Sequence, residues 1–178
     1  MPQYVAFLRA INVGGHNVKM DALCTLFEEL GHSEVESFIA SGNILFQSSS
    51  KSRKSLEDKI EKHLEAALGY EVATFIRTAS EIAEIASHPP ITARDAEKAG
   101  ALNVALLKSP LTDTASKTLQ SLESTIDRLI SHQSEVYWLC QVKQSESKFS
   151  NALFERKLKV PATFRSLSTM QRLAKKLG

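Results

Sequence analysis

The chain predicts an α+β protein built from two βαββαβ units in tandem, closed by an extra C-terminal helix. Three observations predict it. Apolar runs too short for helices alternate with stretches of helical periodicity; glycines and turn residues stand at the junctions; and the order of segments in the first half recurs in the second. With 178 residues, 43% hydrophobic and 24% charged, the chain is long enough to bury a real core and has an ordinary globular composition.

Tyr4 to Ile11 is a nearly continuous apolar run, rich in β-branched and aromatic residues, which suits a central strand covered on both faces. After Gly14 and Gly15, Met20, Leu23, Cys24, Phe27 and Leu30 recur at helical spacing, and Gly31 stands where a helix-ending glycine belongs. Val35 to Ala40 and Ile44 to Ser48 read as strands around the Ser41, Gly42, Asn43 turn. Leu56, Ile60, Leu64 and Leu68 stripe a helix from about Arg53 that ends at Gly69. Val72 to Arg77 completes a first unit over residues 1–78, in the ferredoxin-like order.

Residues 79–100 begin with a helix-like turn and continue through Pro89 and Pro90 into a polar stretch, which marks a connecting segment. A second ferredoxin-like unit plus the last helix then occupies 101–178. Leu102 to Leu107 is a strand and Thr112 to Leu122 a helix. Ile126 to Ile130 and Glu135 to Val142 are strands around His132, Gln133 and Ser134. Phe149 to Leu158 is a helix, Ala162 to Arg165 a strand, and Met170, Leu173, Ala174 and Leu177 line a final helix.

Right-handed crossovers give this topology one functional consequence. The loop after the first strand, the hairpin between the second and third, and the turn before the fourth lie at one edge of the sheet. In the first unit that edge gathers Arg9 to Asn17, Ser41 to Asn43, and Gly69 with Tyr70. In the second it gathers Lys108 to Pro110, His132 to Ser134, and Lys159 to Pro161.

The first of these loops carries the most chemistry. Backbone N–H groups of a glycine loop at a helix N-terminus attract anions, Arg9 offers a bidentate partner for phosphate or carboxylate, and Lys19 adds a second charge. No Gly-Lys-Ser/Thr follows and the third dinucleotide-binding glycine is missing, so neither nucleotide fingerprint is present. The plainer account of the same residues is a tight turn at Gly14 and Gly15, a helix capped by Asn17, and an Arg9 salt bridge. His16 has no carboxylate or nucleophile spaced to pair with it, and turn chemistry alone explains Ser41 and Asn43.

The net charge of +2 is unevenly spread: residues 148–178 carry +7 and the remainder −5, which points to an acidic partner or ligand. The five histidines are scattered, so no metal site is visible, and no cofactor is indicated. Cys24 and Cys140 lie far apart in apolar segments and read as small buried hydrophobes of a reducing compartment. Tyr4 to Leu8 is too short for a signal segment and no apolar run reaches membrane-spanning length, so a cytoplasmic protein without a membrane partner is expected.

Two separated motifs resemble the bacterial domain-of-unknown-function family 1697. They are Arg9 to Gly15 with Asn17, Met20 and Ser41-Gly42-Asn43, and Ser147-Lys148, Asn151 and Glu155 with Pro161-Ala162-Thr163-Phe164-Arg165, Thr169 and Leu173. The resemblance implies a cytosolic bacterial protein of ferredoxin-like α+β units and no established activity. Ala10 departs from the family's usual glycine, and Ser166, Leu167 and Ser168 stand where members often carry Asn, Trp and a polar residue. Because the two motifs fall in different repeats, the resemblance implies a cleft that would bring Arg9, Lys148 and Arg165 together.

The function expected on these grounds is binding, with or without turnover, of a small phosphorylated or carboxylated molecule. The candidate ligand residues are Arg9, Asn12, Gly14, Gly15, Asn17, Ser41, Asn43, Lys148 and Arg165. No residue earns a role as catalytic base or nucleophile. The alternatives are a nucleic-acid-binding module using the basic C-terminal segment, and a structural or protein-interaction unit whose motifs serve turns and packing.

Overall fold

The computed structural model describes residues 1–9, 11, 15, 17–39 and 42–178. The chain divides into two compact units, Met1–Ile82 with Leu177–Gly178, and Ala83–Lys176. The first contains β1 (Gln3–Leu8), α1 (Met20–Glu29), β2 (Ser33–Ser37), β3 (Asn43–Gln47), α2 (Arg53–Leu68) and β4 (Thr74–Thr78). Helix α3 (Ala79–Ser87) follows. The second contains α4 (Ala93–Lys98), β5 (Ala101–Leu106), α5 (Asp113–Ser121), β6 (Asp127–His132), β7 (Glu135–Cys140), α6 (Asn151–Leu158), β8 (Thr163–Ser166) and α7 (Leu167–Leu177).

Each unit holds an antiparallel four-stranded sheet, ordered β2-β3-β1-β4 in the first and β6-β7-β5-β8 in the second. The expected α+β architecture of two tandem βαββαβ units is therefore the one observed. Val5 pairs with both Leu45 and Arg77, and Val104 with both Tyr137 and Arg165, so β1 and β5 hold equivalent central places.

In the first unit Tyr4, Ala6, Leu8, Ile44, Phe46 and Ile76 form one sheet face and pack against Leu23 and Phe27 of α1 and Leu56, Ile60 and Leu64 of α2. Val5, Phe7, Leu45 and Phe75, on the opposite face, are buried as well. Burial on both faces explains why β1 reads as an unbroken apolar run. In the second unit Ala105, Leu107, Leu129, Val136, Trp138 and Cys140 pack against Ala115, Leu119, Phe154 and Leu158. There Phe149 and Phe164 meet the Trp138 ring edge-on, at centroid separations of 4.8 and 6.0 Å.

The outer edge of β4 is closed by carboxylates. The Ile76 N–H donates to Glu57 Oε2 at 3.0 Å and the Thr78 N–H to Glu81 Oε1 at 3.0 Å, while Arg53 pairs with Glu81. Burial pushes the Glu81 carboxyl up, but the Thr78 N–H and the Arg53 guanidinium outweigh it and hold the group below its usual range. An exposed row of unpaired N–H groups is thereby removed.

Several element ends differ from the sequence expectation. β1 stops at Leu8 rather than Ile11: Ile11 is apolar because its side chain is buried in a turn, not because it prolongs the strand. β2 spans Ser33–Ser37 instead of Val35 to Ala40. A register shift between Ser33 and Glu36, with Glu34 at φ 51°, kinks this edge strand, and Ile39 at φ 57° has already left it. Residues 79–100 contain two helices, α3 and α4.

His32, in the turn after α1, lies against Phe46 with ring centroids 4.6 Å apart, and its Nε2 is buried without a partner among the described residues. Burial first and the nearby Lys59 second push its pKa below the ordinary 6.5. The folded chain therefore binds a proton on His32 less readily than the unfolded chain, and stability is lost as pH falls below about 6.5 toward the lowered folded value. Denaturant titrations across this range are expected to show that loss reduced in His32→Leu.

Candidate functional site

At the end of the first sheet where β1 finishes, three segments are tied together through the backbone. The Leu8 N–H donates to the Gly42 carbonyl at 2.9 Å, the Arg9 N–H to the Ala73 carbonyl at 2.9 Å, and the Tyr70 hydroxyl to the Ile11 carbonyl at 3.3 Å. The structure thus brings Arg9, the Gly42–Asn43 hairpin end and Tyr70 to one edge. Arg9 is half-buried, and Gly15, Asn17 and Lys19 are exposed. Gly15 has φ +85°, the left-handed conformation a glycine loop allows. Asn12, Gly14 and Ser41 lie outside the described residues, as does His16.

Asn43 is fully buried and its Nδ2 donates to the Phe38 carbonyl at 3.1 Å, while its own carbonyl accepts the Phe38 N–H at 3.0 Å. Its amide holds the hairpin together. Gly42, at φ +75°, leaves only tight room for a side chain: an added Cβ would sit 3.1 Å from Ile11 Cγ2 and 3.1 Å from Leu8 Cβ, and these neighbours would have to give by a few tenths of an ångström.

Asn17 does not cap α1. The N-cap is Lys19, at φ −71° and ψ 143°, and it makes no side-chain capping bond. Hydroxyl oxygens of Ser52, Thr78, Thr92, Thr112, Ser150 and Ser166 accept first-turn N–H groups of the other six α-helices. A first turn without such a cap keeps N–H donors and the positive end of the helix dipole available to an anion. In α1 this turn follows the Gly15 loop and carries Lys19 beside it.

The second unit repeats the edge. The Leu107 N–H donates to the Ser134 carbonyl at 2.9 Å, as Leu8 does to Gly42, and Gln133 turns the hairpin at φ 52°. Arg165, half-buried in β8, folds onto its own strand, with Nη1 donating to Thr163 Oγ1 at 2.8 Å and to the Phe164 carbonyl at 2.9 Å. Burial pushes its pKa down to about 10, which leaves the guanidinium charged at neutral pH.

Exposed Lys148 follows Ser147, whose hydroxyl donates to Asp127 Oδ2 at 2.6 Å beside the Asp127–Cys140–Ala101 end of the sheet. Arg165 pairs with Val104 in the middle of β5, and its Nη1 turns back toward Thr163.

Two polar features escaped the sequence reading. Arg77, fully buried in β4, is the repeat partner of Arg165 and likewise donates Nη1 to the preceding carbonyl, Ile76, at 2.8 Å. The recurrence of Thr-Phe-(Ile)-Arg-Thr/Ser in the two last strands was its signal. Asp127, 4% exposed, accepts from Trp138 Nε1 at 2.8 Å and from Ser147, and nothing in local spacing links those residues. No group of three His, Cys, Asp or Glu side chains among the described residues is arranged to hold a metal ion.

A family model described as "Protein of unknown function (DUF1697)" matches residues 1–137. The chain belongs to this family. The conserved bacterial protein SP0830 from Streptococcus pneumoniae has a similar structure, with a TM-score of 0.76, 26% identity and coverage of 99% of both chains. No curated protein matches. No helix among the described residues of this DUF1697 protein is long and apolar enough to cross a membrane.

The first edge of this DUF1697 protein carries half-buried Arg9 and exposed Lys19 on a backbone scaffold that depends on Gly42. Gly42→Ala is expected to cost about 3 kcal/mol, because a left-handed backbone and two tight contacts act together. Gly69→Ala, with φ +83° but open space around the new Cβ, is expected to cost about 1 kcal/mol. Urea denaturation of the two variants measures the difference.

Proposed function

We propose that this protein binds a small phosphorylated or carboxylated molecule at the strand-end edge of its first unit. The observation that carries the reading is the first turn of α1, which lacks the side-chain cap found on the other α-helices and lies after a glycine loop with Arg9 and Lys19. In this reading the anion takes the orphan N–H groups of α1 and the backbone of Gly14 and Gly15, and Arg9 supplies a guanidinium. Asn12, Asn17 and Ser41 are further candidate ligands, and Tyr70 and Asn43 hold the segments in register. The setting is a bacterial cytoplasm, in keeping with two free cysteines, one half-buried and one buried.

The competing reading is a nucleic-acid module, favoured by Arg172 and Lys175, exposed on α7 opposite the buried Met170 and Leu173. Salt separates the two, because backbone phosphate contacts release counterions and weaken steeply as salt rises. A thermal-shift panel of phosphate, nucleotides and dicarboxylates at low and raised salt tests the proposal. A ligand at about 100 times its Kd adds about 2.7 kcal/mol to a native state that alone binds it, a visible shift for a chain of this size. The expected result is a salt-tolerant shift from one small anion, lost in Arg9→Ala while that variant unfolds near the parent's midpoint. A shift from RNA alone that vanishes with salt would replace this proposal with the nucleic-acid reading.

A further inference from the structure

The second unit contains a cavity of about 350 Å³, open to solvent, at the start of α7. Its polar lining is Asn103, Gln144, Ser166 and Ser168, and its apolar lining includes Leu102 and Leu167. Asn103 is the unusual member. It sits in the middle of β5 between Trp138 and Ser166, keeps only 7% of its surface, and has no side-chain hydrogen-bond partner among the described residues. Its amide reaches the open cavity instead of being sealed in the interior, so it can exchange water for a ligand there.

The neighbouring hydroxyls are organised. Ser166 Oγ accepts the Thr169 N–H at 3.2 Å and lies 3.0 Å from Ser168 Oγ and 2.9 Å from Thr169 Oγ1. With the Thr169 donor used and the Leu167 N–H turned toward Leu102 in the β5–β8 ladder, the Ser168 N–H remains as the first-turn donor beside the cavity. The lining contains no acidic side chain to repel an anion and no lysine or arginine to neutralise a dianion.

The geometry points to a second ligand site here, for a monocarboxylate with a small apolar body. The carboxylate is held by the start of α7, the Ser168 hydroxyl and the Asn103 amide, and the apolar part rests on Leu102 and Leu167. A single negative charge matches a helix terminus carrying about half a positive charge, whereas a phosphate dianion lacks a counter-cation. The site lies wholly within the second unit and is independent of Arg9.

Hexanoate is the probe, followed by two-dimensional amide spectra of the whole chain, with hexanamide and inorganic phosphate as comparisons. The expected result is a saturable response at Leu167, Ser168 and the Asn103 side-chain amide, at least tenfold weaker for hexanamide and phosphate, and unchanged in Arg9→Ala. Asn103→Leu removes the amide from the cavity wall, so it is expected to weaken hexanoate at least tenfold without lowering the unfolding midpoint. Ser168→Asp places a favourable charge on the helix start, retains the fold whatever Asn103→Leu does, and is expected to abolish hexanoate binding by repulsion. No saturable response up to tens of millimolar, equal binding of hexanamide or phosphate, or binding that survives Ser168→Asp would overturn the assignment.

Discussion

Strands β1 and β5 run through the middle of their sheets with a neighbour on each side, and the last N–H groups of this pairing decide where each unit's loops meet. Leu8 and Leu107 occupy the same place in the two repeats, each donating to a hairpin carbonyl, Gly42 or Ser134. A backbone donor this deep must be satisfied, so the hairpin is drawn to the end of the central strand. In the first unit the adjoining Arg9 to Ala73 bond draws the turn before β4 to the same point. The position of the candidate site is therefore a by-product of closing a hydrogen-bond ladder.

The fold was largely legible because its demands are periodic. The helical stripe of Leu56, Ile60 and Leu64 and the unbroken apolar run in β1 report which surfaces are covered, and they report it locally. Errors arose where an apolar residue serves something other than its own element. Ile11 is buried in a turn, and Phe38 and Ile39 belong to the hairpin rather than to β2. No periodicity separates those uses.

Polar chemistry was less legible because its partners come from distant segments. The Asp127, Trp138 and Ser147 network joins three elements, and no spacing rule connects them. Arg9 and Gly15 were visible because a glycine loop and a strand-ending cation are local features. The uncapped start of α1 was not: Asn17 looks like a cap, and only the backbone shows that the helix begins two residues later without one. That departure matters because the same sequence caps its other helices with hydroxyls, so local stability was given up at one helix start, the one beside the glycine loop.

The direct test of this account is Lys19→Asp, followed by thermal unfolding with and without inorganic phosphate. The substitution supplies the missing N-cap oxygen and a favourable charge, worth about 1 kcal/mol to the free protein. If the open helix start is the anion site, Lys19→Asp raises the midpoint of the free chain and removes the stabilisation that phosphate gives the parent. A variant that gains the cap yet responds to phosphate as the parent does would contradict the account.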